Sequence, residues 1–416
     1  MCNPHRVDNL TEVAAASVVE FLRAMRIFVL GAGATGSLLA ELLLRQGHMV
    51  WCGDRDPERA RRFLGSRSTI AVTEVNARNL RGIVRAAQGC QLIVNASASI
   101  FNQIVMRAAL RLRAHYVDLS SHLTRNPFKA EQLSFAKRFQ EKNRAALINA
   151  GAAPGLTNLL VKRAAELLDE VHAVHIRLYE STESDDPISQ WSPEVSFDEA
   201  ISHPRIYRGG KFRMEKRFAG MEKFRFPEPI GAVNVVLAAQ DEVATLPHFI
   251  SMHDMDVKIG GNEFDRLRRW YRQGKLSKSR GMVRQRFPQT ASPRKIAKLI
   301  RRGVLQNARF AAAVLVRGVK RGRKQDEHLE IRSDALFPTL FQIRQRGLAA
   351  TPVSYATAHA AALFVKFLPR NAGVFAPETL PAETRRAILG AMRSRSSKIM
   401  HKIAKIKGGG ADDEEL

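Results

Sequence analysis

The chain has 416 residues, enough for two domains with their own cores, and its 45% hydrophobic content is that of a globular protein rather than a disordered one. It carries no apolar run of about 18 or more uncharged residues and no basic-then-apolar leader, and Cys2, Cys52 and Cys90 are too scattered for a disulfide framework. A cytoplasmic protein is therefore expected. Lys and Arg number 66 against 40 for Asp and Glu, a net charge of +26 that favours polyanions: nucleic acid, anionic lipid or a phosphate-bearing cofactor. Most of the arginines fall within helical patterns, which reads as solvated helix faces.

Residues 1–24 are expected to be either a helical extension or a segment ahead of a natural start at Met25. From there strand and helix alternate. Met25–Leu30 is an apolar strand, and Ser37–Gln46 is a helix with Leu38/Leu42 and Leu39/Leu43 four apart, stopped by Gly47. His48–Gly53 is the second strand, and Pro57 opens a second helix. Further strands are expected at Thr69–Val72, Gln91–Ala96, Tyr116–Leu119 and Ala145–Asn149, with helices over 76–88, 100–113 and 127–143. This alternation predicts an α/β fold: a doubly wound parallel sheet over 25–150 with helices on both faces.

Past Gly155 the pattern changes to α+β, and 151–350 is expected to be a second, substrate domain. It has a helix near 157–169 and a half-exposed antiparallel strand at Val171–Tyr179. Another strand lies at Val233–Ala238, and a hairpin joins Ala312–Val319 to Glu327–Arg332. Tyr355–Phe367 is helical. Residues 396–416 form a basic then acidic tail too polar to fold by itself.

Gly31-Ala-Gly33-Ala-Thr-Gly36 follows the first strand and opens the first helix, the context of a Rossmann dinucleotide fingerprint. Gly31 allows the tight turn, Gly33 admits the pyrophosphate, and Gly36 permits close helix–strand packing, with Ala34 and Thr35 at the helix N-terminus. Asp54, ending the second strand, would accept the ribose hydroxyls of NAD and repel a 2′-phosphate. Arg55, Arg59, Arg61 and Arg62 pull toward NADP. The balance tips to NAD.

Together with downstream residues, the fingerprint resembles the saccharopine dehydrogenase family from Met25 to about Pro381. The resemblance runs through Asp54-Arg55, Val94-Asn-Ala-Ser97, His115-Tyr-Val-Asp118-Leu-Ser120 and Asn149-Ala-Gly151-Ala-Ala-Pro154-Gly155-Leu-Thr-Asn158. It continues in Trp191-Ser-Pro-Glu194, Gly210-Lys211, Asp241-Glu-Val243 and Gly373-Val-Phe-Ala-Pro377-Glu378. It implies NAD(P)-dependent redox chemistry at a carbon–nitrogen bond, on an amine or amino-acid substrate. It also implies a homodimer and a return of about 351–395 to the first domain. The Arg/Lys-dense stretch Phe264–Arg302 and the segment after Glu180 depart from the family pattern, so the substrate stays open.

In a doubly wound sheet the site lies beyond the carboxyl ends of the strands. Asn95, Ala96 and Ser97 there are expected against the cofactor, and Asp118 or Tyr116 is expected to manage the proton on the substrate nitrogen. Ser120, Pro154, Gly155 and Thr157 are the expected substrate contacts, the free N–H groups around Thr157 and Asn158 facing a carboxylate or the carboxamide. No metal site is expected: His172 and His175 fall on opposite faces of a strand, and His253-Asp-Met-Asp256 has no partner cluster. The alternative reading is a catalytically weak cofactor-binding protein docked on anionic membrane or nucleic acid. It rests on Arg266–Arg286 with Trp270 and Tyr271, and on Arg385–Lys407 as a basic interfacial helix carrying Ile388, Met392, Ile399, Ile403 and Ile406. Of the two, membrane contact is the better supported and nucleic acid the poorer.

Overall fold

The computed structural model describes residues 24–406 except 67, 187, 191, 193–195, 198–200, 277–290, 349 and 396. The extension before residue 24, most of the Trp191–Glu194 motif, Phe287 and the acidic tail lie outside the described residues.

Six strands build the first domain in chain order: β1 (Arg26–Leu30), β2 (Met49–Asp54), β3 (Val72–Glu74), β4 (Leu92–Asn95), β5 (His115–Asp118) and β6 (Ala145–Leu147). The second domain contributes β7 (Glu170–Ser184), β8 (Arg205–Arg208), β9 (Lys211–Met214), β10 (Glu222–Arg225), β11 (Ala232–Leu237), β12 (Asp254–Gly260), β13 (Leu305–Lys320) and β14 (Glu327–Leu336). After them come β15 (Gly373–Phe375) and β16 (Lys398–Lys405). The first sheet has seven strands in the order β15-β6-β5-β4-β1-β2-β3, and every neighbouring pair is parallel. Thus β15, from near the C-terminal end, closes the β6 edge.

Both faces of this sheet are buried because alternate residues point to opposite sides. Ile27, Val29, Val94, Val117 and Leu147 join one apolar cluster, while Phe28, Leu30, Ile93, Tyr116 and Ala146 join another. The first cluster runs on through the helices Leu156–Ala165 and Pro352–Lys366 into Val174, Ile176, Val257 and Val314 of the second sheet. One continuous core therefore fixes the two sheets against each other.

The second sheet is nine-stranded and mixed, its main path β10-β11-β12-β7-β13-β14-β16. Several expectations are corrected here. The strand expected at Val171–Tyr179 is a 15-residue central strand, parallel to β12 and antiparallel to β13. Central placement buries both faces, so its alternation marks two differently lined faces rather than a wet one. The third strand starts at Val72 instead of Thr69, and the helix expected over 127–143 is confined to Ala136–Glu141 after a 3₁₀ turn. The basic segment 385–407 is not one helix: a helix ends at Arg395, and Ile399 and Ile403 lie in β16, paired with Ala335 and Ile331 of β14. Its isoleucines thus do not line a helical stripe.

Candidate active site

The fingerprint forms a cradle at the carboxyl end of β1. The helix Ala34–Arg45 is pressed onto the turn: a Cβ at Gly36 would lie 1.9 Å from the Gly31 carbonyl oxygen, and one at Gly31 would lie 2.7 Å from the Ser97 nitrogen. At Gly33, by contrast, a Cβ would meet nothing within 4 Å. Open space therefore lies over the helix N-terminus, where Gly33 caps the helix without any side-chain hydrogen bond. Asp54 braces the turn: its Oδ2 accepts the Ala32 N–H at 2.8 Å and its Oδ1 the Asp56 N–H at 3.0 Å. Each oxygen keeps lone-pair capacity for a ribose hydroxyl. Arg55 beside it is exposed.

From this cradle a rim of partly exposed residues crosses the strand ends: Gly33, Ala34, Thr35 and Asp54, then Ala96 and Ser97, then Ser120 and His122. A dinucleotide fits these residues: a glycine cradle free of Cβ, free helix N–H groups for phosphates and a carboxylate for ribose. Asn95 does not reach the rim. It is 1% exposed, donates to Asn102 Oδ1 at 2.8 Å and accepts the Ser97 N–H at 3.1 Å, so it fixes the Ala96–Ser97 turn from beneath.

The expected catalytic pair is corrected by burial. Asp118 and Tyr116 are both 0% exposed, so in this conformation they lie beneath the rim rather than on it. Asp118 Oδ1 accepts the Asn149 N–H at 2.8 Å, and its Oδ2 accepts from Tyr116 Oη at 2.9 Å and Gln132 Nε2 at 3.1 Å. Burial pushes the Asp118 carboxyl up to about 7 against the pull of these donors. The pair positions its neighbours. Asn102 Nδ2 holds the Ser120 carbonyl at 2.7 Å, Ser121 Oγ donates to Asn149 Oδ1 at 2.8 Å, and the Ser121 N–H donates to Asp241 Oδ2 at 2.9 Å.

Pro154, Gly155 and Thr157 are buried as well, and the helix N–H groups there are not free. Gly155 N donates to Asn158 Oδ1 (3.0 Å), Leu156 N to the Gly151 carbonyl (3.0 Å) and Thr157 N to the Ala152 carbonyl (3.1 Å). Gly155 has φ +128°, and a Cβ there would fall 2.1 Å from the Gly151 oxygen. The segment is a closed junction rather than a ligand seat. Thr157 Oγ1 donates to Glu242 (2.8 Å), while Asn158 Nδ2 contacts Thr245 Oγ1 (3.1 Å) and Glu378 (3.0 Å). Burial raises Glu242 to about 7 and Asp241 to about 6, the latter against the pull of Arg205, and raises Glu378 too.

Sequence reading missed Glu242, Glu378 and Asn158 as partners, because they lie 85 and 220 residues from the side chains they meet. It also missed His122, two positions beyond Ser120. Among the described residues no group of three or more His, Cys, Asp or Glu is arranged to hold a metal, and no helix is long and apolar enough to cross a membrane.

A doubly wound sheet with a glycine turn opening its first helix is the architecture of dinucleotide-binding domains. Residues 27–148 match the family model of the saccharopine dehydrogenase NADP binding domain. Carboxynorspermidine synthase from Vibrio cholerae serotype O1 is 22% identical over 206 residues, 47% of this chain and 50% of that protein, so the chain matches about half the length of this curated relative. Saccharopine dehydrogenase (L-Glu forming) from Saccharomyces cerevisiae superposes with a TM-score of 0.64, covering 91% of this chain and 100% of that one at 11% identity, which establishes a shared fold. The chain is thus similar to the saccharopine dehydrogenase NADP binding domain over residues 27–148 and shares its overall fold with the yeast enzyme.

Two predictions follow from this geometry. Gly33→Ala should melt within a few degrees of the parent yet lose dinucleotide affinity by about tenfold or more, since it fills only the cradle. Gly36→Ala should itself be destabilised by roughly 1–3 kcal/mol, because the clash is with backbone. Calorimetry with and without dinucleotide separates the two, and equal melting temperatures would contradict the packing role of Gly36. The second concerns pH. The folded state holds protons on Asp118, Asp241 and Glu242 that the unfolded chain releases near pH 4, so stability should fall as pH rises from about 4 to about 7. Asp118→Asn should make that fall shallower in urea titrations across the window; an unchanged slope would contradict the buried, proton-holding carboxyl.

Proposed function

We propose that this protein is a nicotinamide-dinucleotide-dependent oxidoreductase acting on a carbon–nitrogen bond, reducing an imine or oxidising an amine of an amino-acid-like substrate. The observation that carries the reading is the open cradle at Gly33, continuous with a partly exposed rim through Ser97 to Ser120. Gly31–Gly36 would hold the pyrophosphate, Asp54 the adenosine ribose, and Ala96 and Ser97 the stretch across β4. The Asp54 carboxylate supports NAD over NADP. When bound, the dinucleotide supplies hydride transfer to or from the substrate carbon.

The chain's own task is then to orient the substrate and move one proton. His122 is the imidazole on the rim, hydrogen-bonded through Nε2 to Thr124 Oγ1 at 3.0 Å. Its loop follows the carboxyl end of β5 and is fixed through Ser120 and Ser121. We assign it the proton exchange with the substrate nitrogen. The partly exposed Ser120 borders the substrate.

Fluorescence titration with NAD and NADP, followed by a screen of amines against 2-oxo acids and aldehydes, tests the main reading. Binding of at least one dinucleotide and turnover of an amine–carbonyl pair are expected, with NAD the tighter; failure to bind either would overturn it. His122→Gln should lower kcat by about 10²–10⁴-fold with cofactor Kd nearly unchanged, the range for loss of a general acid or base. A kcat within threefold of the parent would remove His122 from the proton path.

A further inference from the structure

One chain of buried hydrogen bonds leads from the glycine cradle into the second sheet. Thr35, the second residue of the helix Ala34–Arg45, donates through Oγ1 to Ser354 Oγ at 3.3 Å. Ser354, 0% exposed and in the first turn of the helix Pro352–Lys366, donates in turn to the Gln190 carbonyl at 3.2 Å. The same carbonyl accepts Thr351 Oγ1 at 2.5 Å, and the Val353 N–H donates to Gln190 Oε1 at 3.4 Å. Gln190, 1% exposed, then sends its Nε2 onto the carbonyls of Ser181 (2.8 Å) and Arg309 (3.2 Å). Those two residues face each other across the β7–β13 ladder.

Each link is specific in kind. The Gln190 amide is the donor to two backbone oxygens that belong to the two central strands of the second sheet. The main-chain carbonyl of Gln190 collects the two hydroxyls that shape the start of the helix lying along the cradle helix. In a dry interior such bonds are costly to leave unmade, so a shift at one end is transmitted to the other rather than absorbed by water. Thr35 is also the member of the chain on the partly exposed rim, where the proposed cofactor lies.

We propose that Ser354 and Gln190 are positioning residues that couple the cofactor cradle to the second domain, so that occupancy at Gly33–Gly36 and the placement of the β7–β13 pair are one equilibrium. Resting on the functional reading above, this explains why a segment 319 residues from Thr35 returns to it. The coupling is reciprocal: the cradle is held in its binding shape only while the second sheet grips Gln190.

Ser354→Ala removes the middle hydroxyl, and Gln190→Glu sets an acceptor against two carbonyl oxygens. In the full-length protein each should raise the Kd of the preferred dinucleotide by about 5–50-fold, within the usual range of site-to-site coupling. Each should also speed amide hydrogen exchange at residues 37–40, the first hydrogen-bonded amides of the cradle helix, in the free protein. Thr35→Val cuts the chain at its cradle end and leaves the rest in place. Adding Gln190→Glu to it should therefore weaken binding no further than the weaker of the two single variants. A merely structural role would lower the melting temperature while leaving Kd and the exchange at 37–40 unchanged, and that result overturns the coupling, as does full multiplication of the two effects in the double variant. Should the parent protein bind neither NAD nor NADP, the functional reading fails, and the exchange at residues 37–40 still decides the coupling.

Discussion

At Gly36 the first helix comes so close to the end of β1 that a single methyl group would strike the Gly31 carbonyl oxygen. That approach aims the helix N-terminus at the space over Gly33, and Asp54 locks the turn by accepting the Ala32 N–H. The rest of the site follows from this contact. Gly31 in turn lies against Ala96 and Ser97, so the turn leaving β4 is seated on the turn leaving β1, and Ser120, beyond the end of β5, is again partly exposed. The open space over Gly33 is thus the consequence of two missing side chains, one that allows packing and one that leaves room.

The protein is basic outside and acidic at its junctions. Asp118, Asp241, Glu242 and Glu378 are sequestered where the two domains meet, each with a raised affinity for its proton because burial outweighs its donors. In the second sheet the same residue type behaves oppositely. Burial works to raise Asp256, but His175 and Arg177 beside it outweigh that and hold its carboxyl well below the usual range. The difference is the strength of the pairing: donors that are mostly hydroxyls and amides, with Arg205 at 3.7 Å from Asp241, in one place, and two close cationic partners in the other. The aromatic residues of the basic stretch are likewise engaged within the chain, with Arg266 over Trp270 at 5.7 Å and Arg217 over Tyr271 at 5.8 Å.

Much of the first domain is legible in the sequence because its signals are local. The glycine spacing, the leucines four apart and the apolar strand runs each declare an element within a dozen residues. The second domain is less so. Its strands β8 to β10 are four residues each, too short for a period to register. Lys398–Lys405 reads as well at helical as at strand spacing until β14 offers it an edge. The site divides in the same way. Gly31, Gly33, Gly36, Asp54 and Ser97 stand where the fingerprint and the strand ends put them. Asp118 and Tyr116 carry the residue types of proton transfer, yet a strand end can be buried, and here both are, with the following loop tied at Ser121 to Asp241, a residue 120 positions away. Gln190 and Ser354 carry no local signal at all, since their bonds join segments 164 residues apart.

The central claim is that a dinucleotide lies along this rim with its pyrophosphate over Gly33. A crystal structure of the protein grown with saturating NAD or NADP tests it most directly. The account predicts density for the pyrophosphate against the backbone of 33–36, the adenosine ribose at Asp54 and the nicotinamide between Ser97 and Ser120. A dinucleotide bound elsewhere, or a cradle that stays free of it at saturation, would contradict the account.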